Sequence, residues 1–322
     1  MSGTKVVATA RYRGMGASLD DQRKLEIIDE LVGIMGGVDR TIITQNLSGL
    51  TFAPAPCTPE QIQYHFAAAM GGPTTGAADG AGTDKVYTNT MPTTANATLA
   101  SYTLETGDDK EAEYATYGVC KQIVLEGKAG ESVKMSATWL ARGVTFLSGG
   151  FTSVALPAVS ELPTSNGKFY LDAIGGTIGT TQITNQILGF KITYDFMVIP
   201  KPTMDGSLDW SFAVLTDYKV TGEVTFENDT AVLRSAGAKA DFVSQTAKLM
   251  QIKLLGGSVT TPGTTYSQKQ VLINAPIKWL DPPPLSDLNG NDTVVMKFQS
   301  RYNSTAGNAG SVIVVNELAS LT

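Results

Sequence analysis

Between Ile192 and Glu227 apolar and polar residues take turns for longer than most domains need. Leu208, Trp210, Phe212, Val214, Tyr218, Val220, Val224 and Phe226 share one parity, while Asp209, Ser211, Asp217, Lys219, Thr221, Glu223, Thr225 and Glu227 share the other. A period of two is the mark of a strand with one dry and one wet face. Upstream, Ile192, Tyr194, Phe196 and Val198 keep the same rhythm, and Met204-Asp205-Gly206-Ser207 supplies an Asp-Gly turn, so the two runs predict a β-hairpin. At ~3.3 Å per residue the downstream arm would reach roughly 60 Å if unbroken, against about five or six residues for an ordinary strand. It must bend and change sheets near Thr216-Asp217, or project from its domain.

A second hairpin is predicted earlier in the chain. Val119, Lys121, Ile123 and Leu125 alternate before the turn Gly127-Lys128-Ala129-Gly130, and Val133, Met135, Ala137 and Trp139 alternate after it. Further strands are expected at Tyr102 and Leu104, Phe169 to Thr184, Leu249 to Leu255, Val271 to Trp279, Val294 to Phe298 and Val312 to Val315. Two helices are expected near the N-terminus, both peripheral to the β structure. One covers 19–35, capped by Ser18, with Leu25, Ile28, Leu31, Val32 and Met35 on one face and Gly36-Gly37 as its stop. The other has a Thr58/Gln61 capping box, Pro59 at its first position, Ile62, Phe66 and Met70 along one side, and Gly71-Gly72 at its end. A short helix is expected over 235–247 with Ala238, Phe242 and Ala247 inward, and a loop from Gly71 to about Ala100. Residues 148–167, with Pro157, Pro163 and Asn166-Gly167, form the best boundary. The expected organisation is therefore mainly β, with long hairpins, a few short helices and two tandem domains, 1–155 and 165–322.

Composition narrows the function. The chain of 322 residues is 42% hydrophobic and 17% charged, with a formal net charge of -6, which disfavours a surface built to grip phosphates through Lys and Arg. No apolar run is long enough to span a membrane and the first residues lack the apolar core of a secretory signal, so synthesis in a cytosol is expected. Cys57 and Cys120 then read as buried free thiols, and the sequons at Asn46, Asn96, Asn228, Asn291 and Asn303 carry no weight.

Chemistry is scarce. The single histidine, His65, sits mid-helix beside Phe66 and reads as a packing or surface residue rather than as a base. Ser165 and Lys168 have a Ser-x-x-Lys spacing but fall in a turn-rich linker, and Gly175-Gly176-Thr177-Ile178-Gly179 has the wrong spacing for a dinucleotide loop. Asp287 to Asp292 is oxygen-rich, yet Asn289-Gly290 is hairpin vocabulary and the bidentate Glu of a calcium loop is missing. Trp139, Trp210 and Trp279 fall on apolar strand faces, which favours core packing over stacking on sugars or bases. The reading is of a non-enzyme with no catalytic, cofactor-binding or metal residues and no cofactor.

Residues 41–72 (Thr-Ile-Ile-Thr-Gln-Asn-Leu-Ser-Gly-Leu, then the capped helix), 101–143 (strand, turn and return arm) and 310–317 (Gly-Ser-Val-Ile-Val-Val-Asn-Glu) together resemble the tail tube, or major tail, proteins of long-tailed bacteriophages. The resemblance implies a β-sandwich or barrel core with a flanking helix. It also implies rings of six tube domains, hexamers or, for two domains per chain, trimers with pseudo-sixfold symmetry, stacked into a hollow conduit. Partners would be other copies of the chain, a tape measure protein and other tail proteins; double-stranded DNA would pass through without specific binding, and no membrane would be involved. The virion tail would be its location, after assembly in the host cytoplasm. On this view the polar faces of the two long hairpins are lumen candidates, and the loops 71–100 and 257–268 would order only when the next ring arrives. The competing reading is a β-sandwich binding module for carbohydrate or a cell surface, such as an adhesin or a tail-tip or decoration protein, which would need some of the tryptophans exposed.

Overall fold

The computed structural model describes residues 3–14, 16–30, 33, 35, 40–94, 99–228, 237–281, 286–288 and 290–321. Its two long hairpins lie side by side. The first is β8 (Ala112–Lys128) with β9 (Lys134–Ala141), and the second is β13 (Ile187–Lys201) with β14 (Phe212–Glu227). β8 and β13 pair antiparallel from Gln122↔Asp195 to Lys128↔Gly189, so hairpins separated by residues 142–186 in sequence become one four-stranded surface. β4 (Ser48–Pro56) extends it beyond β9, and β1 (Leu19–Asp21) beyond that; β18 (Asn291–Ser300) extends it beyond β14.

The sheet turns a corner at β16 (Gln268–Asp281). Its last residues pair with β18. Gln270–Asn274, on the same edge, pair instead with β19 (Ser311–Asn316), while its other edge holds β15 (Lys248–Ser258). β11 (Lys168–Ala173) and β12 (Gln182–Ile183) continue from β15; β6 (Lys85–Thr90) and β5 (Ala77–Ala78) continue from β19. The first half of β8 leaves the main surface to pair with β7 (Tyr102–Gly107) and β10 (Val144–Leu147), bending where Tyr117 takes a positive φ of 58° and the register slips between Cys120 and Gln122. The sheet is antiparallel and does not close into a barrel. β17 (Ser286–Leu288) adds a short flap on β18.

α1 (Pro59–Met70) is where the structure departs most from a peripheral helix. It packs against β8 on one side and against β6, β16 and β19 on the other, so that all of it but Tyr64 is buried. Its ends are as the sequence dictates: Pro59 at the first turn, and Gly71 in the left-handed region (φ 66°) returning its N–H to Ala67 O. Gln61 joins Thr58 by a side-chain hydrogen bond, but the Thr58 side chain caps no backbone N–H. The buried polar positions are paired with one another. Gln63 Nε2 donates to Asn89 Oδ1 (3.0 Å) and Asn89 Nδ2 to Gln63 Oε1 (2.7 Å), an amide pair that removes the cost of burying either.

The expected helix over 19–35 is absent from the described part of that range. Leu19–Asp21 instead complete the edge of β4, and β2 (Lys24–Ile27) pairs with β3 (Thr41–Gln45). The helical face had no core to enter: Leu25 is 64% exposed and Met35 fully so, and a β-branched Ile-Ile segment on each side favours strand pairing once a partner is near. Its stop at Gly36-Gly37, with Leu31 and Val32, lies outside the described residues. The loop expected over 71–100 is replaced in part by β5 and β6. Val86-Tyr87-Thr88-Asn89-Thr90-Met91 buries Tyr87, Asn89 and Met91 alternately, a strand whose polar core residue masks its period. α2 (Ala238–Val243) forms within the expected span, with Ala238 buried and Phe242 partly so; residues 235 and 236 are outside the described set.

Candidate functional site

The residues singled out for chemistry are brought to structural positions. His65 is buried; Trp139 Nε1 donates to its Nδ1 (2.9 Å), which leaves the proton on Nε2, 3.3 Å from Tyr12 Oη. Burial lowers its pKa to about 3, so it is a neutral packing and hydrogen-bonding group at physiological pH. Trp139, Trp210 and Trp279 are all buried, leaving none of them as a stacking platform. Cys57 and Cys120 are free and fully buried, with burial pushing both thiols up. The Gly175–Gly179 turn does wrap an anion, but its own: Asp172 accepts from the N–H groups of Gly179 (2.7 Å), Thr180 (3.2 Å) and Thr181 (2.7 Å) and from Thr180 Oγ1 (2.6 Å). Ser165 lies on a 3-10 turn and Lys168 on β11, beside a shallow surface depression. Asp287 and Asp292 are cross-strand partners in the β17–β18 hairpin, with Gly290 at φ 83° in its turn.

What the fold does build is a surface. One side of β9, β8, β13, β14 and β18 faces the core through Met135, Ile123, Leu125, Ile192, Tyr194, Val220, Val224, Met296 and Phe298. The other side is polar, and its strand registers place charges in a row. Lys134 opposes Glu126, Glu126 opposes Lys191, Lys191 opposes Glu223, and Glu223 opposes Lys297. Signs alternate at every step across five strands. Lys191 Nζ stands 3.9 Å from Glu126 Oε2 with both side chains about half exposed, so these are screened surface pairs rather than stabilising bridges. Asp195 opposes Lys219 in a second row, and Ser136, Val124, Thr193, Thr221 and Gln299 form an uncharged row between the two. The result is a wide, wet, locally neutralised wall with no concentrated positive potential.

At one end of this wall β13 and β14 continue alone. β8 pairs β13 no further than Asp195 and β18 pairs β14 no further than Val220. The long arm neither runs straight nor swings free. Phe196 opposes Tyr218 and Val198 opposes Leu215, so Met197 faces two residues, Thr216 and Asp217, in a β-bulge at the position where the alternation suggested a bend. Thr216 Oγ1 donates to Met197 O (2.8 Å) and satisfies the carbonyl the bulge displaces. Beyond it the phase reverses: Leu215 is buried, whereas Phe212 and Leu208, on the parity expected to be dry, are exposed. Arg142 then ties the connecting loop to the first hairpin. It donates from Nε to Trp210 O (2.9 Å) and from Nη2 to Ser211 O (3.1 Å), and its guanidinium lies over the rings of Tyr117 (4.9 Å) and Trp210 (5.6 Å).

A second projection is the β2–β3 ribbon, a two-stranded sheet of its own. Leu25 pairs with Ile43 and Glu26 with Ile42, and Leu25, Ile27, Ile42 and Ile43 are all exposed, Ile27 by 72%. An isolated two-stranded ribbon is marginal in water, and one that shows this much apolar surface on both sides reads as an interaction element. Sequence reasoning missed it because the same residues fit a helical period. Among the described residues no helix is long and apolar enough to cross a membrane, and no three His, Cys, Asp or Glu side chains are grouped to hold a metal ion. No curated protein matches the sequence. A family model described as phage tail tube protein matches residues 3–303.

Proposed function

The chain belongs to the phage tail tube protein family, structural components of the bacteriophage tail, and from that premise we propose that it assembles with copies of itself into stacked rings whose channel is lined by the polar wall of the two long hairpins. The observation that carries this reading is the β8–β13 pairing, which fuses the wet faces of both hairpins into one continuous surface within a single chain. Each hairpin would be the lining of one tube-like unit, 1–155 and 165–322, and three chains would close a pseudo-sixfold ring.

The physics suits a conduit for double-stranded DNA. Phosphates bind where Lys and Arg can displace condensed counterions. In the wall each lysine of the main row faces a glutamate, so a passing duplex meets no uncompensated cation to hold it. The exposed β2–β3 ribbon, together with the outer edges of β13 and β14 past Asp195 and Val220, offers unpaired backbone and apolar side chains for neighbouring copies, the use to which edge strands are put when an assembly closes on itself. Recruitment of a tape measure protein and assembly in the host cytoplasm follow from the same reading.

Electron microscopy of the purified chain tests the first part: rings or tubes of constant bore are expected, and particles that stay monomeric at high concentration would overturn it. The lining is tested by Glu126→Lys with Glu223→Lys, which turns the alternating row wholly basic. Tubes of normal appearance with slowed DNA delivery and reduced infectivity are expected; unimpaired delivery from such tubes would place the channel elsewhere.

A further inference from the structure

The two ends of the polar wall carry opposite features. At one end β13 begins beside the turn of the first hairpin, with Gly189 opposite Lys128. A cavity of about 250 Å³ opens there, lined on its apolar side by Phe169, Ile183, Ile187, Leu188, Phe190 and Leu254. The register shift between Ile187 and Gly189 leaves Leu188 without a partner on β14, and Ala129 N takes its carbonyl (2.9 Å). Lys168 stands at the rim and opposes Lys253 across the β11–β15 ladder, so the two ammonium groups share a face. Neither makes an ion pair among the described residues. Like charges placed directly opposite destabilise a ladder, and burial together with the Lys168 charge lowers the pKa of Lys253. An acid arriving from outside would relieve both.

At the other end, residues 202–211 carry β13 into β14. Residues 201–208 are all exposed, and Met204 is completely so. The loop holds two acids, Asp205 and Asp209, against the single base Lys201 at its start. Its shape is set from within. Asp205 accepts from Thr203 Oγ1 and Ser211 Oγ, both at 2.8 Å, and from Ser207 N at 3.1 Å, and these donors hold its pKa down. Met204 therefore stands clear of its own chain on a loop already formed, which lowers the ordering cost of any contact it makes. Methionine, unbranched and with three rotatable bonds, is suited to filling an irregular apolar gap.

We propose that Met204 of one copy seats in the cavity beside Leu188 of the next copy in the column, with Asp205 and Asp209 brought to that copy's Lys168 and Lys253, a contact that presupposes the stacked rings of the proposed function. The loop cannot fill the cavity of its own chain: the strand from Gly189 to Lys201 separates them by roughly 40 Å at ~3.3 Å per residue. In a head-to-tail column, the loop end of one wall meets the cavity end of the next. The contact is heterologous, since its two surfaces lie at opposite ends of one chain, so it gives the column a direction and can repeat without closing. Acid meets base and an exposed apolar side chain meets an apolar cavity, and every copy in a ring makes the same contact at once.

The experiment compares full-length chains by electron microscopy. Met204→Asp should leave the melting temperature within about 2 °C, because the side chain is fully exposed, and should give rings that do not stack. Lys168→Glu should do the same. Mixing Met204→Cys chains with Leu188→Cys chains under a mild oxidant should give disulfide-linked heterodimers in excess of either homodimer; Cys57 and Cys120 are buried and stay out of the reaction. Tubes of native length from Met204→Asp, or no excess of heterodimer when the mixed chains stack, would overturn the contact and leave ring formation standing. Native chain that forms no rings would overturn the proposed function itself, and this contact with it. Capture of Leu188→Cys by another tail protein in preference to Met204→Cys would overturn the contact in favour of that occupant.

Discussion

His65 shows how a residue type associated with chemistry can be committed to packing. Its ring is held between Trp139 and Tyr12 in a cluster with Phe52, with centroid distances of 5.0 to 5.5 Å. Because burial lowers its folded pKa from 6.5 to about 3, the unfolded chain takes up a proton first; this contribution to stability is complete above pH 6.5 and is lost as the pH falls toward 3. Glu317 acts in a lower window. Burial alone would raise its pKa, but the Thr260 N–H, the Thr83 hydroxyl and Lys269 outweigh this and bring it to about 2, so its contribution is complete above pH 4.5 and is lost toward pH 2. Urea melts at a series of pH values should therefore show His65→Gln flattening the slope between pH 6.5 and 4, and Glu317→Gln flattening it below 4.5, by up to about 3 kcal/mol. Arg142→Ala should cost about 2 kcal/mol through two stranded carbonyls and a lost cation–π stack, and Arg142→Lys should not restore it because the fork geometry is gone. The tryptophans were legible as core from their strand parity, whereas for His65 the sequence excluded a catalytic role without choosing between packing and surface. The Arg142 clamp was not, because its partners are backbone carbonyls sixty-eight and sixty-nine residues away.

Among elements, those with strong local signals came through and those depending on a distant partner did not. Both hairpins, the Pro59 start and Gly71 stop of α1, and the bend near Thr216 were readable because turn chemistry and alternation are local. β6 was hidden because Asn89 occupies a core position and is satisfied by Gln63 and by the Val312 carbonyl, partners no local window reveals. The ribbon of β2 and β3 was misread because Leu25 to Met35 satisfies the helical period as well as the strand's; tertiary pairing decided between them. Deleting Asp217 should remove the bulge while leaving Thr216 opposite Met197 and Leu215 opposite Val198 on the dry face; a straighter arm with no faster proteolysis within 197–216, and little change in the global melt, is the expected signature. Replacing Ile27 and Ile43 by Lys should leave the monomer's melting temperature within about 2 °C, since both are exposed, while abolishing assembly by sedimentation.

At the scale of the molecule the sequence carried the fold class and the family resemblance, whereas the pairing that makes the two halves one surface could not be read, because nothing in β8 or β13 alone specifies the other as its neighbour. The same is true of α1, whose alanine-rich face, Ala67 to Ala69, suits close approach on several sides but does not say to what. The corner strand β16 has a mechanical consequence. Its Gln270–Asn274 segment belongs to one sheet branch and its Ile277–Asp281 segment to the other, so a load on either branch is passed along a single covalent backbone and resisted by ladders on both its edges. Pulled between Leu19 and Ile183, the chain should give way in one rupture instead of shedding layers in turn.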